Sequence, residues 1–314
     1  LLLTVTLNPA IDKVYAVDDF AVNRVFRPKN ITATAGGKGL NVTRVAHLLG
    51  EKVVATGFIG GNNGRFIEDQ LNRLGISNRF VRIQKESRIC IAIMDSQNTT
   101  STEVLEPGPV IDQSEQDKFE DVYNSLVTEC SAVTVSGSLP AGIAVDFYQR
   151  LAMIARKHGK KFILDTSGLA LKTAISAPPF LPYMIKPNLE ELEALVGRKL
   201  LKLDKQARAL LDLKRIGLEL PCVTLGKAGC LAVLADGVYH FSIPSIPVVN
   251  TVGSGDSFVA GCAVGLIHQL EPVNLIKLGM ACGMTNTQFF ETGKINRRMV
   301  EKYYKMIAVR KLNI

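Results

Sequence analysis

The chain has 314 residues, 47% hydrophobic and 21% charged, which excludes a disordered segment and allows a substantial buried core. A net charge of +8 favours anionic partners, but lysines and arginines are spread along the length without a basic block, so phosphorylated small molecules fit better than nucleic acid. No apolar run approaches the roughly 18 uncharged residues of a membrane span, and six cysteines without a C-x-x-C pair read as buried free thiols of a cytoplasmic protein, not disulfides or zinc ligands.

The opening "LLLTVTLNP" reads as a buried strand, too short and without the basic flank of a signal peptide. Asp12 follows in "NPAID", placed either to hydrogen-bond a substrate hydroxyl or to close an Asx turn. Residues 13 to 35 read as strands without an intervening helix and carry Arg24 and Arg27. "TAGGKGLNVTRVAHLLG", 34 to 50, is a glycine-rich turn that opens a helix. It is not a Walker A loop, because Gly39 follows Lys38 and Thr32 stands where the first glycine is required. Gly37 and Lys38 can form an anion site on this helix start, with Asn41 one turn in, or simply a strand-to-helix turn.

"EKVVATGFIG" and "GRFIEDQLNRLG" form the next strand and helix, and residues 88 to 106 again read as strands and hairpins, beginning at Arg88. Together with 13 to 35 they predict a small sheet, a candidate lid. Strand–helix pairs resume with "SAVTVSGS" and "VDFYQRLAMIARKHG", "KKFILDTS" and a short helix, then "PYMIKPN" and "LEELEALVG". Such alternation predicts a mainly parallel sheet with helices on both faces and ligands beyond the carboxyl ends of the strands. Those ends carry Ser138 in "SGSLP", the "DTSG" segment, Lys186 in "KPN" and the "LGKAG" turn. Asn188 and Glu191 in "IKPNLEEL" have the spacing of a capping box, or of a polar face that holds Mg2+ waters. "VTLGKAGC" is a strand, a turn and a strand, which alone is only a hairpin.

In "NTVGSGDSFVAG" and the residues after it, Val259, Cys262, Ala263, Leu266 and Ile267 recur three and four apart, which predicts a helix with one buried face starting near Asp256. Gly253 and Gly255 let the backbone approach a phosphate at that helix start. An acidic first turn after a tight turn is the other reading.

"TLNPAID", "AGGKGLNVTRV", "GFIGG", "VSGSLP", "DTSG", "IKPNLEEL" and "NTVGSGDSFVAG", in this order, resemble the ribokinase-like (phosphofructokinase B) family of sugar kinases over nearly the whole chain. Within it, "GGKGLNVTRV", "RICIAI", "EVLEPGP" and "TGKIN" look most like the branch of tagatose-6-phosphate kinase and 1-phosphofructokinase. The resemblance implies an α/β fold, a three-layer α/β/α domain over 1–314 with a mainly parallel central sheet and a small β-lid at about 13–35 and 88–106. It implies ATP and Mg2+ as cofactors and a phosphorylated ketohexose as substrate; the exposed lid strands, with open edges, suggest pairing in a homodimer.

Carried over by position, Asp256 is implied to be the base, and Gly253, Ser254 and Gly255 the anion hole with it. Asp12, Gly37, Lys38 and Asn41 would line the sugar-phosphate site, with Arg27, Arg88 and Ser138 as phosphate contacts. Lys186, Asn188, Thr224, Gly226, Lys227 and Gly229 would serve ATP, and Glu191 would hold Mg2+ through water. The implied reaction makes a 1,6-bisphosphate from tagatose 6-phosphate, with fructose 1-phosphate as the alternative. A non-catalytic sugar-phosphate sensor is the alternative of another class, and the retained Asp256 and glycines speak against it. Two departures stand out. "FAVNRVFRP" replaces the usual Gly-Glu-Val-Asn-Arg, so that Arg27 is the equivalent counted back from Asn41 and Arg24 the alternative. Ile89 follows Arg88 where tagatose-6-phosphate kinases often have Asn.

Overall fold

The computed structural model describes residues 1–314 apart from 99, 177 and 179. β1 (Leu2–Thr6) passes through Asn8 into β2 (Ala10–Val17), and β3 (Asn30–Gly36) runs almost directly into α1 (Lys38–Leu48). β4 (Val53–Gly60) and α2 (Gly61–Arg73) follow, then the short β5 (Ser77–Asn78) and β6 (Val81–Ile83) and the hairpin of β7 (Arg88–Asp95) and β8 (Thr100–Leu105). Alternation continues with α3 (Gln113–Glu129), β9 (Ala132–Ser136), α4 (Phe147–Lys157), β10 (Lys161–Asp165), α5 (Gly168–Ala174), β11 (Met184–Ile185) and α6 (Leu189–Val196). Next come α7 (Leu203–Arg215), β12 (Leu220–Thr224), β13 (Cys230–Leu234) and β14 (Gly237–Ser242). Three helices, α8 (Ser254–Ile267), α9 (Pro272–Asn286) and α10 (Arg297–Met306), precede β15 (Ala308–Lys311).

The central sheet runs β15-β14-β13-β12-β11-β10-β9-β1-β4-β5, with β6 also on β4. From β12 to β5 every pair is parallel, and Leu2 of β1 lies opposite Val53 on one side and Ala132 on the other. β13, β14 and β15 extend it antiparallel. β1 and β4 are buried along their whole length because helices cover both faces, and this is why they read as unbroken apolar runs. One layer of helices packs through Phe119, Tyr123, Phe147, Leu151 and Leu210. The other packs through Val42, Val45, Val259, Cys262, Met280 and Val300. Ile67 and Leu71 of α2 pack with Ile11 and Ala35 at the root of the second sheet.

α8 departs from the one-faced helix the spacing predicts. Every residue from Asp256 to Gly265 is buried, whereas Leu266 and Ile267 are only partly so. The polar-side positions are covered because α9 lies directly against α8: a β-carbon on Gly261 would stand 2.7 Å from the Leu278 carbonyl oxygen.

The second sheet has the order β3-β2-β7-β8, with β2 and β7 parallel and the outer pairs antiparallel. It begins at Ala10, three residues before the predicted lid, and residues 18–29 leave it as turns and irregular chain. Asp95 ties its tip together by accepting from the Phe20 amide at 2.8 Å and from Asn98 Nδ2 at 2.8 Å. These bonds hold its carboxyl at about 2, below the usual range, against the burial that raises it. All six cysteines are free and buried. Among the described residues no helix is long and apolar enough to cross a membrane.

Candidate active site

The carboxyl ends of β1, β10, β11 and β12 and the starts of α1 and α8 meet beneath the second sheet in a cleft of about 1400 Å3. Gly253 caps α8 with φ 80°, a left-handed conformation that side-chain-bearing residues adopt at a cost. Of the first N–H groups of α8, that of Ser254 donates to the Thr251 carbonyl at 3.2 Å, whereas those of Gly255 and Asp256 have no acceptor one turn back, and the helix dipole adds positive charge there. A β-carbon on Gly255 would lie 3.2 Å from Lys186 Nζ, so its absence lets the ammonium sit against this helix start. Ser254, Gly255 and Asp256 all line the cleft.

Asp256 is 6% exposed and accepts a 2.7 Å hydrogen bond from Asn41 Nδ2. Burial and the neighbouring Asp165 carboxylate push its pKa up to about 6, against the opposing pull of Asn41, Lys38 and Lys186. At neutral pH it is an ionised carboxylate poised to take a proton. Asp165, at the end of β10, is 1% exposed, and neither of its oxygens has a hydrogen-bond partner. Lys186 Nζ lies 3.3 Å from Asp165 Oδ1 and Lys38 Nζ 4.0 Å from Oδ2. Burial works against the Lys186 charge, yet Asp165, Glu191 and Asp256 outweigh it and push the ammonium up to about 12. Asp165 likewise raises Lys38, with burial opposing. Both lysines therefore stay charged beside the start of α8.

On the opposite side, Asp12 on β2 accepts from the Gly37 amide at 3.3 Å, and burial raises its pKa. Arg88 at the start of β7 donates to the Asn8 carbonyl from Nε at 3.2 Å and Nη2 at 3.0 Å, and to the Glu106 carbonyl at 3.0 Å. It thereby fixes the β1–β2 turn to the end of β8. Ser138 Oγ accepts from Asn8 Nδ2 at 3.5 Å. Asp12, Gly37, Lys38, Asn41, Arg88 and Ser138 all line the cleft, but Arg27 does not. Arg24 and Arg27 are exposed on the irregular 18–29 segment, and Arg24 pairs with Asp19 at 2.9 Å.

Thr224, Gly226, Lys227 and Gly229 form the far wall, joined by Ile243, Ile246, Val248 and Met284. Asn188 and Glu191 make the capping box: the Glu191 amide donates to Asn188 Oδ1 and the Asn188 amide to Glu191 Oε2, each at 2.8 Å. Both still line the cleft. The sequence reading did not single out Asn8, Arg44 or Asp165. For Asp165 the signal was present, a carboxylate at a strand end in "DTSG". For Arg44 there was none, since an arginine inside an amphipathic helix reads as solvent-facing.

A cleft that gathers backbone N–H groups, two cations and a buried carboxylate under a separate sheet suits a phosphotransferase with an alcohol acceptor. A family model described as pfkB family carbohydrate kinase matches residues 5–297. The chain belongs to that family and is a sugar-phosphate kinase of ribokinase-like fold. It is 31% identical to a Staphylococcus aureus protein provisionally named a phosphofructokinase, with 99% of both chains covered and a TM-score of 0.82. A Thermotoga maritima protein described as a possible 1-phosphofructokinase is 27% identical over 99% of both chains, with a TM-score of 0.92. Phosphofructokinase-2 from Escherichia coli is 25% identical over 97% of this chain and 98% of its own, with a TM-score of 0.89.

Proposed function

We propose that the enzyme uses ATP and Mg2+ to phosphorylate a ketohexose phosphate to its 1,6-bisphosphate, with tagatose 6-phosphate as the first choice of acceptor. The observation that carries this reading is the buried Asp256 carboxylate, held by Asn41 at the start of α8 with Lys186 beside the same helix end. Asp256 takes the proton of the attacking hydroxyl, and the N–H groups of residues 253–256 with Lys186 accept the charge of the moving phosphoryl group. Asp12, Lys38, Arg88 and Ser138 hold the sugar phosphate, with Arg27 reaching it only if the lid moves.

ATP lies along the wall of Thr224, Gly226, Lys227 and Gly229, with Lys186 and Asn188 at its phosphates and its base in the apolar slot of Ile243, Ile246 and Met284. The site fits Mg2+ because the Glu191 carboxylate lines the cleft beside Asn188, whereas the Asp165 oxygens already face the Lys186 and Lys38 ammonium groups. No group of three ligating side chains exists among the described residues, so the ion would be held by nucleotide phosphates and by water on Glu191. When bound, Mg2+ neutralises charge on the phosphates.

The second sheet is read as a lid over one domain, and its closure excludes water from the transfer. Its open β8 edge, exposed throughout, is read as the site of homodimer pairing. The six buried free thiols support a cytoplasmic location. Fructose 1-phosphate is the second reading, favoured by the likeness to the Thermotoga protein named for that activity. ADP release is to be followed with Mg-ATP and, in parallel, tagatose 6-phosphate, fructose 1-phosphate and fructose 6-phosphate. Highest kcat/KM on tagatose 6-phosphate supports the first reading. A preference for either fructose phosphate overturns it in favour of that sugar.

A further inference from the structure

We infer that Arg44 is a positioning residue for phosphoryl transfer, which sets the Asn41 side chain so that its N–H faces the base. The inference rests on Asp256 being that base. An asparagine amide is nearly symmetrical in shape, and only its hydrogen-bond partners decide which end points where. If the oxygen of Asn41 faced Asp256, two acceptors would oppose each other in a buried site. Arg44 prevents this by placing Nη2 2.5 Å from Asn41 Oδ1, leaving Nδ2 to donate to Asp256 at 2.7 Å. The two residues are three apart on α1 and so lie on one helix face.

The guanidinium is itself fixed from two other directions. It donates from Nη1 to the Ala35 carbonyl on β3 and from Nη2 to the Thr292 carbonyl at 3.2 Å. Its hydrogen-bond partners are thus three neutral oxygens, and Asp12 and Asp256 are the carboxylates whose charge reaches it. Withdrawing an arginine from water without a carboxylate in contact is unfavourable, and a role in packing alone is met by an apolar side chain. Ala35 lies opposite Ile11 in the β2–β3 ladder, next to Asp12. One side chain therefore joins the root of the second sheet, the first turn of α1, the loop after α9 and, through Asn41, the base.

The test measures kcat and both KM values for Arg44→Gln, Arg44→Lys, Asn41→Ala, the Arg44→Gln/Asn41→Ala double variant and Asp256→Asn. Mg-ATP is used with whichever of the three ketohexose phosphates turns over, and circular dichroism monitors folding. Loss of one orienting hydrogen bond in the transition state predicts a fall in kcat of about tenfold for Arg44→Gln, with KM for ATP within about twofold. The double variant should be no slower than Asn41→Ala, because Arg44 acts through Asn41. A double variant slowed by the product of the two single effects, or unchanged kcat in Arg44→Gln, overturns the inference. If Arg44→Gln does not fold, Arg44→Lys, which keeps the charge but cannot reach all three oxygens, carries the same criteria. Near wild-type turnover in Asp256→Asn removes the base assignment itself. An inactive Asp256→Asn beside additive Arg44 effects removes only the role of Arg44.

Discussion

Replacing Asp256 by asparagine should slow turnover at least about a hundredfold, on the order of a general base's contribution, and make the protein more stable. The carboxyl stands at about 6 in the folded chain against an ordinary 3.8, chiefly because burial and Asp165 disfavour its charge. A difference of that size corresponds to about 3 kcal/mol between protonated and ionised forms, an upper bound for a site where water can enter. The sign follows from proton binding. Because the folded state holds the proton more tightly, stability is greatest below pH 3.8, falls as the pH rises through 6, and carries the full penalty above it. Asp256→Asn removes the titration and keeps an oxygen for the Asn41 amide. Its advantage should be small near pH 4 and reach up to about 3 kcal/mol at pH 7.5, equivalent to about 4–5 °C in Tm for a chain of this length. Urea denaturation at both pH values, with kcat measured alongside, is the assay, and kcat should drop by about 10² or more. A variant no more stable than the parent at pH 7.5, or one with near wild-type kcat, refutes the reasoning.

The same ionisation predicts that kcat/KM loses activity as pH falls below about 6, roughly tenfold per unit, in a steady-state profile; a flat profile down to pH 5 excludes Asp256 as the base. Glu191→Gln keeps an acceptor for the capping box but loses the charge, so Tm should hold while the Mg2+ concentration for half-maximal rate rises several-fold. An unaltered Mg2+ titration would reduce Glu191 to a cap. Arg88→Ala should raise KM for the sugar phosphate about tenfold, with KM for ATP little changed, consistent with loss of a charge-assisted contact. Gly261→Ala forces a methyl group against the Leu278 carbonyl and should cost about 1–3 kcal/mol in denaturant unfolding without altering KM.

The start of α8 was legible in the sequence because apolar residues from Val259 on recur three and four apart after a glycine turn, and the strand ends were legible because parallel strands are continuous apolar runs. The full burial of α8 was not, since it depends on α9 lying against Gly261, a contact that periodicity within one helix cannot report. Arg44 was hidden for a related reason: three oxygens from distant segments draw an apparently solvent-facing side chain inward. Arg27 shows the converse. Its place was counted from Asn41, but residues 18–29 leave the sheet, and spacing along the chain stops measuring position in space once regular structure ends.

β2, β3 and β7 are continuous with the turns that carry Asn8, Gly37 and Arg88, whereas the opposite wall is built from β12 and the loops beside α8. The cleft is therefore lined by two separately encoded modules, which on the proposed reading face the acceptor and the phosphoryl donor respectively. Thr34, Cys90 and Glu103 line the cleft from the small sheet, so exchanging them should alter the first without disturbing the second. A scaffold divided in this way can diversify its sugar repertoire through a few substitutions while its energy-coupling machinery is inherited intact.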